Sequence, residues 1–433
     1  MPITTLSGRS KREPSVFERR ESAVRSYAHH FPVKFVKAQG ARLFDADGRE
    51  YVDFLAGCSS LNYGHNHPAL KAALADYIEA DGLAHSLDLE TDAKEAFLQE
   101  FETTILRPRE LDYVVQFPGP TGANAVEAAL KVARKVTGRS NVIAFTNGFH
   151  GCTLGSLALT ANRHHRGGAG VPLSDVTRMP FDGYFGPDTD TAEQIAQMLD
   201  DPSSGIDAPA AFVVETVQGE GGLNAASTRW LQSMERIARK HGAVFIVDDI
   251  QAGIGRTGTF FSFEPAGINP DIVTLAKSVS GYGLPLALTL LKPELDVWKP
   301  GEHNGTFRGN CHAFVTATAA LQTFWRDDAL QNAVGQKARL IRRCFAELGK
   351  GGVAAVKGRG MMLGIDVGSG DAAAAVVRRC FANGLVIETS GPRDEVVKCL
   401  APLTIANTDL ERGLEILRQA IAAVLASDVR AAA

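Results

Sequence analysis

The chain is poor in the residues that staple small folds, with six cysteines (Cys58, Cys152, Cys311, Cys344, Cys380 and Cys399) among 433 residues. No two of them form a Cys-x-x-Cys pair. That argues against a disulfide framework or a zinc site and fits a reducing cytosol, so no metal is expected. Net charge is also small, −4, and gives no reason to expect nucleic acid or an anionic membrane as partner. No apolar run approaches the roughly 20 residues of a membrane span. Met1 to Ser15 is polar, carries Lys11, Arg12 and Glu13, and lacks the apolar core of a signal peptide. It reads as a disordered leader, and the chain as cytoplasmic. A phosphate loop of the form G-x-x-x-x-G-K-[S/T] is missing, as is the nucleophile or metal constellation of a hydrolase or kinase.

What is present is an ordinary globular composition, 45% hydrophobic and 22% charged, in a chain long enough for a large domain and a smaller one. Leu43 to Phe54 reads as two short strands about a turn at Asp47-Gly48. From about Pro68, helical stretches alternate with apolar runs at Tyr113–Phe117, Asn141–Phe145, Ala211–Val214, Ala243–Val247, Asp271–Leu275 and Leu286–Leu291. This alternation predicts an α/β fold with a mainly parallel sheet covered on both faces. The stretch Asp182–Asp207, rich in Gly, Pro, Asp and Ser, reads as containing a loop or insertion. After about Ala320 come a long helix (Gln331–Leu348), strand-like pieces (Met361–Val367, Leu385–Glu388) and a closing helix (Asp409–Leu425), read as a small α+β domain. The expected division is a large domain over 66–320, with 1–65 and 321–433 forming the small one.

Asp248 closes the run Ala243-Val-Phe-Ile-Val247, and Lys277 follows Asp271-Ile-Val-Thr-Leu275-Ala276. Two buried strands that bring a carboxylate and an amine to one sheet edge would suit pyridoxal phosphate. The amine can form a Schiff base, and the carboxylate can hold a proton on the pyridine nitrogen. An acid and a lysine after strands are also common surface features, so the pair alone leaves both readings open. Phe117-Pro-Gly-Pro-Thr-Gly-Ala-Asn124 leads from a strand into a helix over Asn124–Val136. Its amides could bind phosphate, or merely start a helix. Gly253-Ile-Gly255-Arg-Thr-Gly258 matches G-x-G-x-x-G, but no amphipathic helix follows it and the acidic residue expected further on is missing, so it is rejected as a dinucleotide site. Asn147-Gly-Phe-His150-Gly151, Glu215-Thr-Val-Gln-Gly-Glu220 and His303-Asn-Gly-Thr306-Phe-Arg308-Gly-Asn310 are each compatible with a site or with a tight turn.

Taken in order, these segments resemble the class III aminotransferases of fold type I, over about Phe17 to Leu425. The resemblance implies a mainly parallel seven-stranded sheet in the large domain and pyridoxal phosphate as cofactor. It implies that Lys277 is the Schiff-base lysine and proton shuttle, and that Asp248 is the partner of the pyridine nitrogen. Gln251 would lie near the ring's phenolic oxygen, Phe149 would stack on the ring, and Ile250 would pack on the opposite face. Thr121, Gly122 and Ala123 would hold the phosphate. Thr306 would reach the phosphate bound to a neighbouring subunit, implying a homodimer, or a dimer of dimers, with shared sites.

Within the family the chain is most similar to the enzymes that make L-2,4-diaminobutyrate for ectoine biosynthesis. The carrying stretches include Phe17–Tyr27, Leu61-Asn-Tyr-Gly-His-Asn66, Ser280-Gly-Tyr-Gly-Leu-Pro285 and Glu395-Val-Val-Lys398. The implied substrates are glutamate and aspartate 4-semialdehyde. Other openings are a diaminobutyrate transaminase of siderophore or antibiotic assembly, a 4-aminobutyrate or ornithine enzyme, and a silent binding subunit. Lys398 stands where many class III enzymes carry arginine, and Cys58 where ornithine transaminases carry tyrosine. Glu220, Lys398, Arg308 and Cys58 are therefore the candidate substrate residues, with Glu220 and a cation as a movable pair.

Overall fold

A computed structural model describes residues 15–349 and 355–432 of the protein; the leader expected over Met1 to Ser15 lies almost wholly outside the described residues. Seven strands form the central sheet: β1 (Val114–Gln116), β2 (Val142–Phe145), β3 (Val176–Met179), β4 (Ala211–Val214), β5 (Val244–Asp248), β6 (Ile272–Leu275) and β7 (Leu288–Leu291). Their spatial order is β1-β7-β6-β5-β4-β2-β3. The register aligns Ile246 with Ile272 and Asp248 with Thr274. Every neighbouring pair is parallel except those of β7, which runs antiparallel to both β1 and β6. β4 to β7 are buried along their whole length. That follows from their near-continuous Val, Ile, Leu and Phe content, which suits a sheet covered on both faces.

The helix Gly122–Thr137 buries Ala125, Ala129 and Val132 against this sheet and ends at Gly138, whose φ of +67° is the left-handed conformation glycine adopts freely. The stretch Asp182–Asp207 is not all loop. It contains the helix Thr191–Asp200, started by Asp190 accepting hydrogen bonds from Ala192 N and Glu193 N. Strand β3 was not evident from the sequence; its Val-Thr-Arg-Met lies at the sheet edge with three of four residues only half-buried.

Two smaller sheets flank the central one. Phe35–Gln39, Arg42–Asp45 and Glu50–Asp53 form an antiparallel meander, and the distant Leu385–Val386 joins it in parallel, pairing Leu385 with Val52 and Val386 with Asp53. The other has the order Ala355–Arg359, Met362–Asp366, Val396–Cys399, Glu388–Ser390, and aligns Glu388 opposite Lys398. Helices Ala329–Leu348, Gly370–Ala382 and Asn407–Ala432 complete this part of the chain. Among the described residues no helix is long and apolar enough to cross a membrane.

Candidate active site

Because β5 and β6 are parallel neighbours, their C-terminal ends deliver Asp248 and Lys277 to the same sheet edge. Asp248 is the last residue of β5 and is 4% exposed. Its Oδ1 accepts from Thr274 Oγ1 (3.2 Å) and Ile250 N (3.3 Å), and its Oδ2 lies 2.7 Å from His150 Nδ1. Burial disfavours a charged imidazole at His150, but hydrogen bonding to Asp248 and the charge of that carboxylate prevail and raise its pKa. Lys277 opens a short 3-10 turn after β6 with φ +52°. A side-chain-bearing residue rarely occupies this left-handed region, and such strain concentrates at functional positions.

Asp248, Lys277, Phe149, Ile250, Gln251, Thr121, Gly122 and Ala123 border one cavity of about 410 Å³. Burial pushes the Glu215 carboxyl up to about 7, and it accepts hydrogen bonds from Phe149 N (2.9 Å) and Gly219 N (3.0 Å). It thereby ties the loop bearing the aromatic ring to the loop bearing Glu220. On another wall Thr121 caps the helix Gly122–Thr137 and donates from Oγ1 to Asn124 Oδ1 at 2.8 Å. First-turn amides of a helix have no intrahelical acceptor and, with the dipole, suit an anion. A Cβ on Gly122 would sit 2.9 Å from Ile250 Cδ1, so a larger residue here would push the Ile250 side chain aside.

The cavity fits pyridoxal phosphate. It offers an anion-binding helix start, a buried carboxylate for a ring nitrogen, an amine, and flat apolar surfaces from Phe149 and Ile250. Gln251 Oε1 is buried without a hydrogen-bond partner, while its Nε2 donates to Glu220 Oε1 at 2.9 Å. An unsatisfied buried amide oxygen marks a place where a bound group would complete the network.

Beyond Gln251 lies a charged cluster. Lys398 is fully buried, with Nζ 2.9 Å from Glu220 Oε1 and 3.0 Å from Glu388 Oε1. Burial would lower its pKa, but the two carboxylates raise it instead. Burial likewise opposes ionisation of Glu220, yet Lys398 and Lys277 hold its carboxyl at about 2. Tyr27 Oη donates to Glu388 Oε2 at 3.1 Å and lies 2.7 Å from Cys58 Sγ. Burial, then the Glu388 charge, push the Cys58 thiol up to about 12.

Cys58 sits in a one-turn left-handed segment, with φ of +45°, +57°, +55° and +71° at Ala56, Gly57, Cys58 and Ser59. Consecutive left-handed residues are costly for L-amino acids. Neighbours hold the segment in place: the buried Arg256 donates from Nε to Ser59 Oγ at 3.0 Å, and Ser278 Oγ donates to Ser59 O at 2.7 Å. Since Ser278 follows Lys277, one bond couples the two strained turns.

Three expected substrate residues thus meet here: Glu220 borders the cavity, while Lys398 and Cys58 stand behind it. The fourth does not. Arg308 Nη1 donates to Asn304 Oδ1 at 3.0 Å and lies 3.9 Å from Asp88, and it borders no part of this cavity. Thr306 is exposed and also stands apart from the cavity of its own chain. Sequence reasoning missed Tyr27 and Glu388. The one available signal was that Glu388 opens a strand in the same part of the chain as Lys398.

The family described as aminotransferase class III matches residues 23–421. A diaminobutyrate--2-oxoglutarate transaminase of Vibrio parahaemolyticus is 56% identical over 96% of this chain and 99% of its own. An enzyme of the same name from Halomonas elongata is 56% identical over 94% of this chain and 98% of its own. Among solved structures, an ornithine aminotransferase of Toxoplasma gondii, described with partial occupancy of pyridoxal phosphate at its active site, superposes with a TM-score of 0.81 at 28% identity, covering 95% and 94% of the two chains. A cavity built to hold a phosphorylated ring, in a chain matched by one family over nearly its whole length, has a single reading: the protein belongs to the class III aminotransferases, and pyridoxal phosphate is its cofactor.

Proposed function

We propose that the protein moves an amino group from L-glutamate to the aldehyde carbon of L-aspartate 4-semialdehyde, giving 2-oxoglutarate and L-2,4-diaminobutyrate. The observation that carries this reading is the 56% identity, over nearly the full chain, to a transaminase named for diaminobutyrate and 2-oxoglutarate. Pyridoxal phosphate supplies the electron sink that lets the bond between hydrogen and the amine-bearing carbon break. Lys277 takes that proton and returns it. Asp248, fixed by His150 and Thr274, would keep a proton on the ring nitrogen. Phe149 and Ile250 would flank the ring, Gln251 would lie near its phenolic oxygen, and Thr121, Gly122 and Ala123 would hold the phosphate. Glutamate and the semialdehyde use one site in turn, and the Glu220–Lys398 pair moves to admit a carboxylate.

Thr306, exposed and not bordering the cavity of its own chain, suits a contact with the phosphate of a second copy, so the working form in this reading is a homodimer. The pathway in this reading is ectoine synthesis. Visible spectra of the cofactor-loaded protein test the substrate. Rapid loss of the bound-cofactor band with diaminobutyrate, and little with ornithine or 4-aminobutyrate, is expected. The reverse order would keep the family and overturn the substrate.

A further inference from the structure

Glu215 directly follows β4, and its two carboxylate oxygens serve two different loops. Oε1 accepts from Phe149 N at 2.9 Å, and Oε2 accepts from Gly219 N at 3.0 Å. Phe149 borders the cavity and meets His165 edge to face, with ring centroids 5.3 Å apart. Gly219 borders the same cavity from the other loop, and a Cβ there would overlap Gln251 Oε1. Its carbonyl accepts from Ser390 Oγ at 2.9 Å and from Lys398 Nζ at 3.3 Å. One residue on, Glu220 meets Gln251 and Lys398. The two loops are joined a second time by Gln218 Nε2, which donates to Thr146 O at 2.7 Å. Neither of those residues borders the cavity, so this second tie holds the loops together without reaching the cofactor.

We propose that Glu215 is a positioning residue that couples the ring-stacking wall of the cavity to the Glu220–Lys398 pair, so that both become ordered when the cofactor is seated. An ionised carboxylate is an acceptor at both oxygens, which is what two facing N–H donors require. Its burial is tolerated because each N–H supplies a hydrogen bond that water would otherwise give. Stacking restrains Phe149, the Phe149 N–H restrains Glu215, and Glu215 restrains Gly219 and with it Glu220. The coupling does not depend on which amine reacts, and so goes beyond the reaction proposed above. Glu215→Gln removes one leg of this clamp, since an amide of the same shape has one acceptor oxygen and turns an N–H toward the other donor. The Gln218–Thr146 bond stays in place and keeps the two loops together.

Amide hydrogen exchange tests the coupling without turnover, read in the segments carrying Phe149 and Gly219 with and without saturating pyridoxal phosphate. In the wild type the cofactor is expected to slow exchange in both segments. In Glu215→Gln and in Phe149→Ala the slowing at Gly219 is expected to vanish. The dissociation constant of the cofactor, titrated by visible circular dichroism, is expected to rise at least about tenfold in Glu215→Gln. Made in the Phe149→Ala background, the same change is expected to raise it less than about threefold, because the two residues act as one unit. Slowing at Gly219 that persists in either variant would mean that the cofactor orders this loop through Gln251. An equal rise of the dissociation constant in both backgrounds would assign Glu215 to the fold alone. Either result overturns the coupling. If Glu215→Gln does not fold, the exchange at Gly219 in Phe149→Ala decides the matter.

Discussion

His150 Nδ1 stands 2.7 Å from Asp248 Oδ2, and both side chains are sealed from solvent, at 1% and 4% exposure. The imidazole is the buried partner of a carboxylate that borders the cavity. The same pairing makes the fold sensitive to pH. His150 has a folded pKa above the unfolded value of about 6.5, so its contribution to stability is complete below that value. It is lost as pH rises through the folded pKa. The melting advantage of the wild type over His150→Gln should therefore be larger near about pH 6 than near about pH 9. Calorimetry on cofactor-loaded protein at the two values checks this, and an advantage growing with pH would contradict it.

Asp248→Asn keeps shape while removing the charge. The amide cannot hold a proton on the ring nitrogen, and the rate of the glutamate half-reaction should fall by about 10²–10⁴. Single-turnover kinetics read this directly; a rate within about tenfold of wild type would remove Asp248 from the chemistry.

Glu220→Ala frees Lys398 from one of its two carboxylates. With glutamate as donor, the released cation can meet the substrate carboxylate without first displacing Glu220. The glutamate half-reaction should rise relative to the diaminobutyrate half-reaction, as measured by the rate of cofactor-band loss with each. Equal losses in both would argue against a movable pair.

Arg256 is buried, and burial lowers its pKa to about 10, outweighing the nearby Asp53 charge that raises it. It donates to Ser59 Oγ at 3.0 Å, Asn62 Oδ1 at 2.5 Å, Ala401 O at 2.7 Å and Met361 O at 3.3 Å. Arg256→Met would remove the guanidinium donors from the Ala401 and Met361 carbonyls and leave Asn62 Oδ1 only its bond from Ser59 Oγ, costing about 3–5 kcal/mol. Urea unfolding of the two proteins measures that difference, and a change below about 1 kcal/mol would show that water or rearrangement replaces the guanidinium.

The central sheet was legible because β4 to β7 are apolar throughout and bounded by turn residues, and their periodicity carried Asp248 and Lys277 to one edge. The resemblance then named the cavity residues, eight of which border a single cavity. The Gly253–Gly258 segment, rejected as a dinucleotide site, forms turns without a helix. Legibility failed where burial is partial or partners are remote. β3 is a half-polar edge strand, and the helix Thr191–Asp200 hid in a stretch punctuated by Gly, Pro and Asp. The Tyr27–Glu388 contact joins residues 361 positions apart, which no local pattern reports. Arg308 was drawn toward the substrate by its neighbour Thr306, but its own bonds hold it elsewhere.

The pairing of Leu385–Val386 with Glu50–Asp53 gives the order of protein synthesis a consequence. A nascent chain has every strand of the central sheet once Leu291 has emerged, along with the Thr121–Ala123 turn that lines the cavity. The first small sheet must wait with an open edge until Leu385 arrives, and Tyr27 waits for Glu388 in the same stretch. Contacts closed over so long a span form slowly compared with local ones. An early stop after the helix Cys311–Phe324 would thus release a fragment with Asp248 and Lys277 in place, Glu220 still beside Gln251 and Cys58 beside Tyr27, but with Lys398 and Glu388 missing. In such a fragment, retaining the cofactor and choosing the right amine would come apart.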